Sequence, residues 1–268
     1  MTRITTNARP EAAAERAAVE IARAIESARE QRGIAHLALS GGSTPARTYE
    51  LLASTLDGWD GVEIWFADER CVGPEDAESN YRLAAETLLR PAGIDPARIH
   101  RMEGELGPDE GARRYAEALR TSFSLAAPDA ADAPSEAGAS SAVGTPSGSG
   151  GAGGSSILPV LDLIALGIGP DGHVASLFPG APTLDAGERA LCLGVHDSPK
   201  PPPERITLSL AVLRVARRCL LLATGAGKAD AIAAALGEPT KHVPASLLVR
   251  ERLTVIVDDA ASPPAGLG

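Results

Sequence analysis

A histidine in a glycine-rich loop is the feature of this sequence that most directly suggests catalysis. His173 follows residues 167–172, where three glycines and Asp171 come directly after a short apolar run. Imidazole titrates near neutral pH, so it can take up a proton and return it in that range. A carboxylate two residues away can orient the ring. We therefore predict that His173 is a general base and that Asp171 polarises it.

A second loop has the composition of an anion site. Between an apolar run and an amphipathic segment lie Gly41, Gly42, Ser43 and Thr44. Glycines let a ligand approach the backbone, hydroxyls add donors, and the amino end of a helix presents free N–H groups. These features suit a phosphate group. The alternative is a tight turn in which Ser43 or Thr44 caps the helix and Pro45 occupies its first position.

Charged residues also appear where apolar runs end. Asp68 and Arg70 directly follow the run at 62–67, which is where the ligand-binding loops of parallel sheets lie. Arg205 precedes a later apolar run, and Lys228 follows a glycine pair. Each cation could pair with a phosphate. The alternative for all four is an ordinary solvated charge.

Short apolar runs alternate with amphipathic segments along the chain. The runs predict strands at 34–39, 62–67, 161–166, 191–195, 206–210, 219–223 and 253–257, with a short one at 99–102. Helical spacing predicts helices at 12–29, 46–56, 81–89, 108–123 and 228–236, and residues 68–78 are expected to form a loop. This alternation predicts an α/β fold with a mostly parallel sheet and helices on both faces.

One segment breaks the alternation. In residues 127–156, 25 of 30 side chains belong to Ala, Gly, Ser or Pro. Such a segment cannot bury enough side chain to offset its backbone entropy, so we expect a disordered low-complexity insertion. Because the alternation resumes after it, we predict that it interrupts a single domain at residues 1–268 rather than separating two domains.

Composition limits the classes of function. The formal net charge of −10 argues against a nucleic-acid partner, and it requires any anionic ligand to bind in a locally positive pocket. Three distant cysteines form no CxxC or Cys/His cluster, so we expect reduced thiols, no metal site and a cytoplasmic protein. No apolar run has the length of a membrane span, and the first residues lack the apolar core of a signal peptide.

Five segments of the chain resemble, in order, those of the 6-phosphogluconolactonase family: SGGSTP, FADER, GIGPDGHVASLFPG, ERITL and GAGKADAI. The resemblance implies a Rossmann-like fold and hydrolysis of 6-phospho-D-glucono-1,5-lactone to 6-phosphogluconate, in the oxidative pentose phosphate pathway and without a cofactor. It places the phosphate on residues 41–44 with Lys228 and Arg205 as cationic partners. It also makes Arg70 a further substrate contact and His173 the catalytic residue.

Two other functions fit parts of the same pattern. Glucosamine-6-phosphate deaminases share the phosphate loop and the Asp-Gly-His segment, and there Asp68 would move a proton at C2. They carry Asp-Glu-Tyr where this chain has residues 68–70 and Phe-Asn-Glu-Pro where it has 176–179, so the lactonase is favoured. A sugar-phosphate sensor would need a DNA-binding module before the first strand, which we expect near residue 34. The oligomeric state, monomer or small homo-oligomer, stays open.

Overall fold

The main sheet of the protein is parallel throughout and draws on both halves of the chain. The computed structural model describes residues 2–125 and 157–263, and the predicted insertion at 127–156 lies outside the described residues. The strands are Arg3–Asn7 (β1), Ala35–Leu39 (β2), Val62–Phe66 (β3), Asp68–Arg70 (β4), Leu163–Gly167 (β5), Cys192–Val195 (β6), Arg205–Leu208 (β7), Cys219–Ala223 (β8) and Leu253–Asp258 (β9). Six of them form one sheet in the order β1-β9-β8-β5-β2-β3, which confirms the predicted α/β fold.

Helices connect these strands and cover the sheet. They are Pro10–Arg32 (α1), Ser43–Thr55 (α2), Asn80–Ala84 (α3), Pro108–Ser122 (α4), Leu210–Val215 (α5) and Ala229–Leu236 (α6). Alanine and isoleucine side chains of α1 are buried against α2 and the sheet, which explains how a chain with only 3% aromatic residues closes its core. Across the two described ranges, no helix combines the length and apolar character needed to cross a membrane.

A second sheet carries residues that the sequence assigned to a loop. β4, β7 and β6 form a three-stranded antiparallel sheet, with β7 in the middle. The chain leaves β3 at Phe66 and enters β4 at Asp68, so the loop predicted at 68–78 is wrong over its first three residues. Pairing of β4 with β7 sets Arg70 directly opposite Arg205. Two of the predicted site cations are therefore neighbours on one small sheet.

Three further predictions of secondary structure are corrected. The first strand is β1, not a strand near residue 34, and it was missed because an edge strand whose side chains are all exposed or half-buried has no apolar run. The strand predicted at 206–210 stops at Leu208, because the hydroxyl of Ser209 accepts the N–H of Val212 at 3.2 Å and caps α5. Residues 99–102 contribute one isolated bridge, between Ile99 and Ile64.

Two buried tyrosines hold the ends of β2 and β3. The hydroxyl of Tyr49 accepts the N–H of Ser40 at 3.0 Å and donates to its carbonyl at 2.8 Å. The hydroxyl of Tyr115 does the same for Phe66, at 2.7 and 3.1 Å. One side chain thus satisfies both polar groups of a buried peptide residue, which would otherwise be costly to remove from water. The loops that leave these strands start from fixed positions.

Replacing Tyr115 by phenylalanine should destabilise the protein far more than the loss of one hydroxyl at the surface. Tyr115→Phe leaves the N–H and the carbonyl of Phe66 buried without a partner, so we expect the free energy of unfolding to fall by about 1–3 kcal/mol. Tyr81→Phe is the matched control, because its half-buried hydroxyl bonds to no described residue. Denaturant unfolding of both variants measures the difference, and equal stabilities would contradict this role of Tyr115.

Candidate active site

Loops from three neighbouring strands of the main sheet meet at its carboxyl edge around a cleft of about 300 Å³. They follow β2, β5 and β8, and β4 closes one side. Nine of the ten predicted site residues line this cleft: Gly41, Gly42, Ser43, Thr44, Asp68, Arg70, His173, Arg205 and Lys228. The tenth, Asp171, contacts His173 from behind. The topology therefore collects into one place residues that are far apart in the sequence.

The loop after β2 presents unoccupied backbone donors. α2 begins at Ser43, and its N-cap is Gly42, which has no side chain to cap the helix. The alternative in which Ser43 or Thr44 caps the helix and Pro45 takes its first position is therefore wrong. The first helical bond joins the N–H of Ala46 to the carbonyl of Gly42 at 3.1 Å. Within the described residues, the N–H groups of Ser43 and Thr44 have no acceptor, so they are available to an anion.

Gly41 allows a buried amide to pass beneath this loop. A Cβ at position 41 would lie 1.8 Å from Oδ1 of Asn80. Asn80 uses its amide N–H groups to reach the carbonyl of Asp68 at 2.9 Å and its carboxylate at 3.2 Å. A side chain at position 41 would push Asn80 off Asp68. Asn80 also lines the cleft, and it was not predicted as a site residue, because its only recognisable feature was its place at the start of a predicted helix.

Asp68 is a buried carboxylate that connects the two sheets. It is 5% exposed. Its Oδ1 accepts from Asn80, and its Oδ2 accepts the hydroxyl of Ser176 at 2.7 Å. The N–H of Ser176 in turn donates to the hydroxyl of Thr207 at 3.2 Å. Asp68 thereby holds the loop that carries His173, and its role as a substrate contact stays a prediction.

Glu69 points the other way and anchors the start of α3. Its carboxylate accepts the N–H groups of Arg70, Asn80 and Tyr81 at 2.7–2.8 Å, and the hydroxyl of Ser79 at 3.0 Å. Burial raises the pKa of Glu69, although these N–H groups act in the opposite direction. Because this carboxylate accepts four donors, it fixes the positions of Asn80 and Arg70, which both line the cleft. Glu69 is thus a positioning residue for Asn80 and Arg70.

His173 and Asp171 form a short hydrogen bond inside the loop after β5. The distance from Nδ1 of His173 to Oδ1 of Asp171 is 2.6 Å. A carboxylate only accepts, so Nδ1 carries the hydrogen and Nε2 keeps its lone pair. A Cβ on Gly169 would lie 2.0 Å from Nδ1, so only glycine leaves room for the pair. This arrangement is what a general base requires.

Lys200 completes the group and was not predicted from the sequence. Its ammonium lies 3.3 Å from Oδ1 of Asp171 and 3.2 Å from Nδ1 of His173. Because both Nδ1–H and the ammonium are donors, the contact with His173 is one between charge and ring rather than a hydrogen bond. Arg205 holds the loop in which Lys200 lies, since its guanidinium donates to the carbonyls of residues 200–202 at 3.0–3.2 Å.

These contacts decide the protonation of the pair. Burial and the charge of Lys200 lower the pKa of His173, and burial has the larger effect. Asp171 raises this pKa through its hydrogen bond and its charge, but the pKa of His173 still lies below the ordinary value. Partial burial acts to raise the pKa of Asp171, but the hydrogen bond and the charges of His173 and Lys200 outweigh it, and this pKa is lowered. At neutral pH the histidine is therefore neutral and the carboxylate ionised.

Three further residues of the cleft carry donors that are unpaired or that bond only to a backbone carbonyl. Lys228 donates to the carbonyl of Ile168 at 2.6 Å, and burial together with the charge of Lys200 lowers its pKa. The hydroxyl of Ser40 is buried without a hydrogen-bond partner among the described residues. Arg70 donates to the carbonyl of Glu78 at 2.6 Å, and its Nε is likewise without a partner there. The cleft is thus positive and rich in donors.

Fold and cleft together define an α/β protein with a helix terminus that no side chain caps and a histidine–carboxylate pair at the same sheet edge. The sequence profile of the glucosamine-6-phosphate isomerases/6-phosphogluconolactonase family matches residues 8–257. The chain belongs to this family, as the resemblance of its motifs indicated.

Individual relatives agree with this membership. The 6-phosphogluconolactonase of Streptomyces coelicolor is 35% identical over 93% of this chain and 89% of its own length. The 6-phosphogluconolactonase of Homo sapiens is 35% identical over 84% of this chain and 79% of its own. The crystal structure of a 6-phosphogluconolactonase from Shewanella baltica, 27% identical, superposes with a TM-score of 0.74 over 96% of this chain and 98% of that one.

The titration of His173 should respond in opposite directions to its two charged neighbours. Lys200→Gln removes a positive charge and should raise the pKa of His173, whereas Asp171→Asn removes a negative charge and should lower it. NMR titration of the imidazole measures both changes. Lys241→Gln is the control, because this exposed lysine pairs with Asp185 and does not line the cleft. Shifts of the same sign in both variants would contradict the assigned geometry.

Proposed function

We propose that this chain hydrolyses 6-phospho-D-glucono-1,5-lactone to 6-phosphogluconate. The observation that carries the proposal is that one cleft holds both an uncapped helix terminus and the neutral His173 bonded to Asp171. The first suits a phosphate and the second suits proton transfer. The names of the relatives, 6-phosphogluconolactonases that match most of this chain, support the same activity.

The phosphate end of the substrate binds at the start of α2. The N–H groups of Ser43 and Thr44 donate to the phosphate oxygens, and the helix dipole favours the negative charge. Lys228 exchanges the carbonyl of Ile168 for the phosphate, to which a cation binds more strongly. Arg205 and Arg70 raise the local potential from the neighbouring sheet.

The lactone end reacts beside His173. A δ-lactone is an activated ester, so water is a sufficient nucleophile once a base takes its proton. Nε2 of His173 accepts that proton as the water oxygen bonds to C1. Asp171 stabilises the imidazolium that forms. When the C1–O bond of the ring breaks, the imidazolium gives its proton to the departing ring oxygen, which leaves a hydroxyl at C5 and a carboxylic acid at C1. The histidine returns to its neutral form.

The oxyanion formed at C1 needs donors, and two of the backbone N–H groups in the loop after β5 are already bonded within that loop. The N–H of Gly169 donates to the carbonyl of His173 at 2.9 Å, and that of Gly172 to the carbonyl of Gly169 at 3.0 Å. Pro170 has no N–H. Among the donors expected from the sequence, Arg70 carries a full positive charge, and the structure adds Lys200. We assign the oxyanion to these two cations.

The direct test is the rate of acid release from the phosphorylated lactone, with spontaneous hydrolysis subtracted. We expect saturable catalysis without an added metal or cofactor. We also expect the protein to be a monomer or small homo-oligomer that acts in the cytoplasm on this small molecule, without a nucleic-acid partner. Ammonia release from glucosamine 6-phosphate in a parallel assay would identify the deaminase instead. Binding of sugar phosphates without turnover of either would identify a sensor.

His173→Asn should separate chemistry from binding. Asparagine can keep the hydrogen bond to Asp171 but cannot accept a proton, so we expect kcat to fall by about 10²–10⁴-fold with KM nearly unchanged. His196→Asn is the control, since His196 is exposed and pairs with Asp109 outside the cleft. Normal turnover of His173→Asn would remove this residue from the mechanism.

Lys228→Gln should show the opposite pattern. Loss of a charge-assisted bond to phosphate should raise KM by roughly ten- to a hundredfold, while kcat changes little because Lys228 does not contact the pair that moves the proton. Steady-state kinetics of this variant beside Lys241→Gln give the comparison. If KM is unchanged, the phosphate does not bind at this end of the cleft.

A further inference from the structure

A second groove, of about 610 Å³, lies at the amino edge of the main sheet, on the side away from the active site. Four arginines line this groove, and each lies shortly before one of three strands of the main sheet. Arg217 and Arg218 come just before β8, and Arg252 comes just before β9. Arg32, the last residue of α1, forms the opposite wall. Four guanidinium groups thus converge on one groove of a protein whose net charge is −10.

One carboxylate faces these four cations. Asp162 pairs with Arg32 at 2.7 Å and with Arg217 at 3.3 Å, and its other oxygen accepts the N–H of His36 at 2.8 Å. Arg252 donates to the carbonyl of Val215 at 2.9 Å. The side chain of Arg218 is exposed and bonds to no described residue. The groove therefore keeps a local excess of positive charge, which costs free energy until an anion occupies it.

An apolar pocket of about 260 Å³ continues from this groove. The two share Arg32, Val160, Asp162 and Arg217. His36 and four half-buried apolar side chains form the rest of the wall; the apolar ones are Ile34, Phe123, Leu125 and Leu158. A ligand that fills both parts needs an anionic end and a flat or apolar end. The size of the two parts is in the usual range for small-molecule sites, about 300–1,000 Å³.

We propose that this groove is a second ligand site, which binds a nucleoside diphosphate or triphosphate. The phosphates lie on Arg217, Arg218 and Arg252, because guanidinium groups match phosphate oxygens in pairs. The base lies in the apolar pocket against Phe123 and Leu125. The site is separate from the catalytic cleft, since the two share no lining residue.

Calorimetric titration of the full chain with ADP tests the proposal. We expect saturable binding that Arg218→Gln weakens by about tenfold or more, since it removes a charge-assisted bond without breaking an ion pair within the described chain. Arg214→Gln is the matched control: an exposed arginine four residues earlier that does not line the groove. Lys228→Gln, which alters only the catalytic cleft, should leave the ADP affinity of the groove unchanged.

Pyrophosphate separates the two parts of the site. We expect it to bind more weakly than ADP, and Leu125→Ser to weaken ADP while leaving pyrophosphate unchanged. No saturable binding of ADP, or equal affinities in Arg218→Gln and Arg214→Gln, would overturn the site. Binding of ADP no tighter than that of pyrophosphate would overturn its assignment to a nucleotide.

Discussion

Parallel pairing of β2, β5 and β8 is the constraint on which the catalytic cleft depends. Parallel neighbours end at the same edge of a sheet, so the loops that follow them must meet there. The first loop brings the start of α2, the second brings His173, and the third brings Lys228. None of these groups is near another in the sequence. The bond from Lys228 to the carbonyl of Ile168 joins the second and third loops directly.

The small antiparallel sheet adds the charges that the main sheet lacks. Its β4 carries Asp68 and Arg70, and its β7 carries Arg205 opposite Arg70. Like charges in directly opposed positions destabilise a strand pair. The buried carboxylates of Asp68 and Glu69 offset part of that repulsion, and a bound phosphate would offset more. A strongly acidic protein can in this way hold an anionic substrate, because the attraction comes from a local cluster of cations and not from the net charge.

The sequence was sufficient to predict features that are local. Buried parallel strands read as apolar runs, and His173 and Asp171 belong to the same loop, so their pairing could be expected. Lys200 could not be predicted in this way, because it lies in a proline-rich loop whose position depends on hydrogen bonds from Arg205 to the loop carbonyls. Asn80 depends on a close approach that only Gly41 permits.

The edges of the fold were the least predictable part. β1 pairs on one side only, so its side chains carry no apolar pattern, and β4 is too short to show one. α2 begins at Ser43, three residues before the predicted start at 46, and the alternative in which Ser43 or Thr44 caps it is wrong. That difference matters for function, because a side chain capping α2 would have occupied the donors that the phosphate needs.

A crystal structure of the chain with 6-phosphogluconate bound would locate both ends of the product in the cleft. We expect the phosphate on the N–H groups of Ser43 and Thr44 and within reach of Lys228. We expect the new C1 carboxylate within hydrogen-bond distance of Nε2 of His173, with Asp171 still bonded to Nδ1. A product that lies with its phosphate at His173, or with C1 outside the reach of Nε2, would contradict the proposed mechanism.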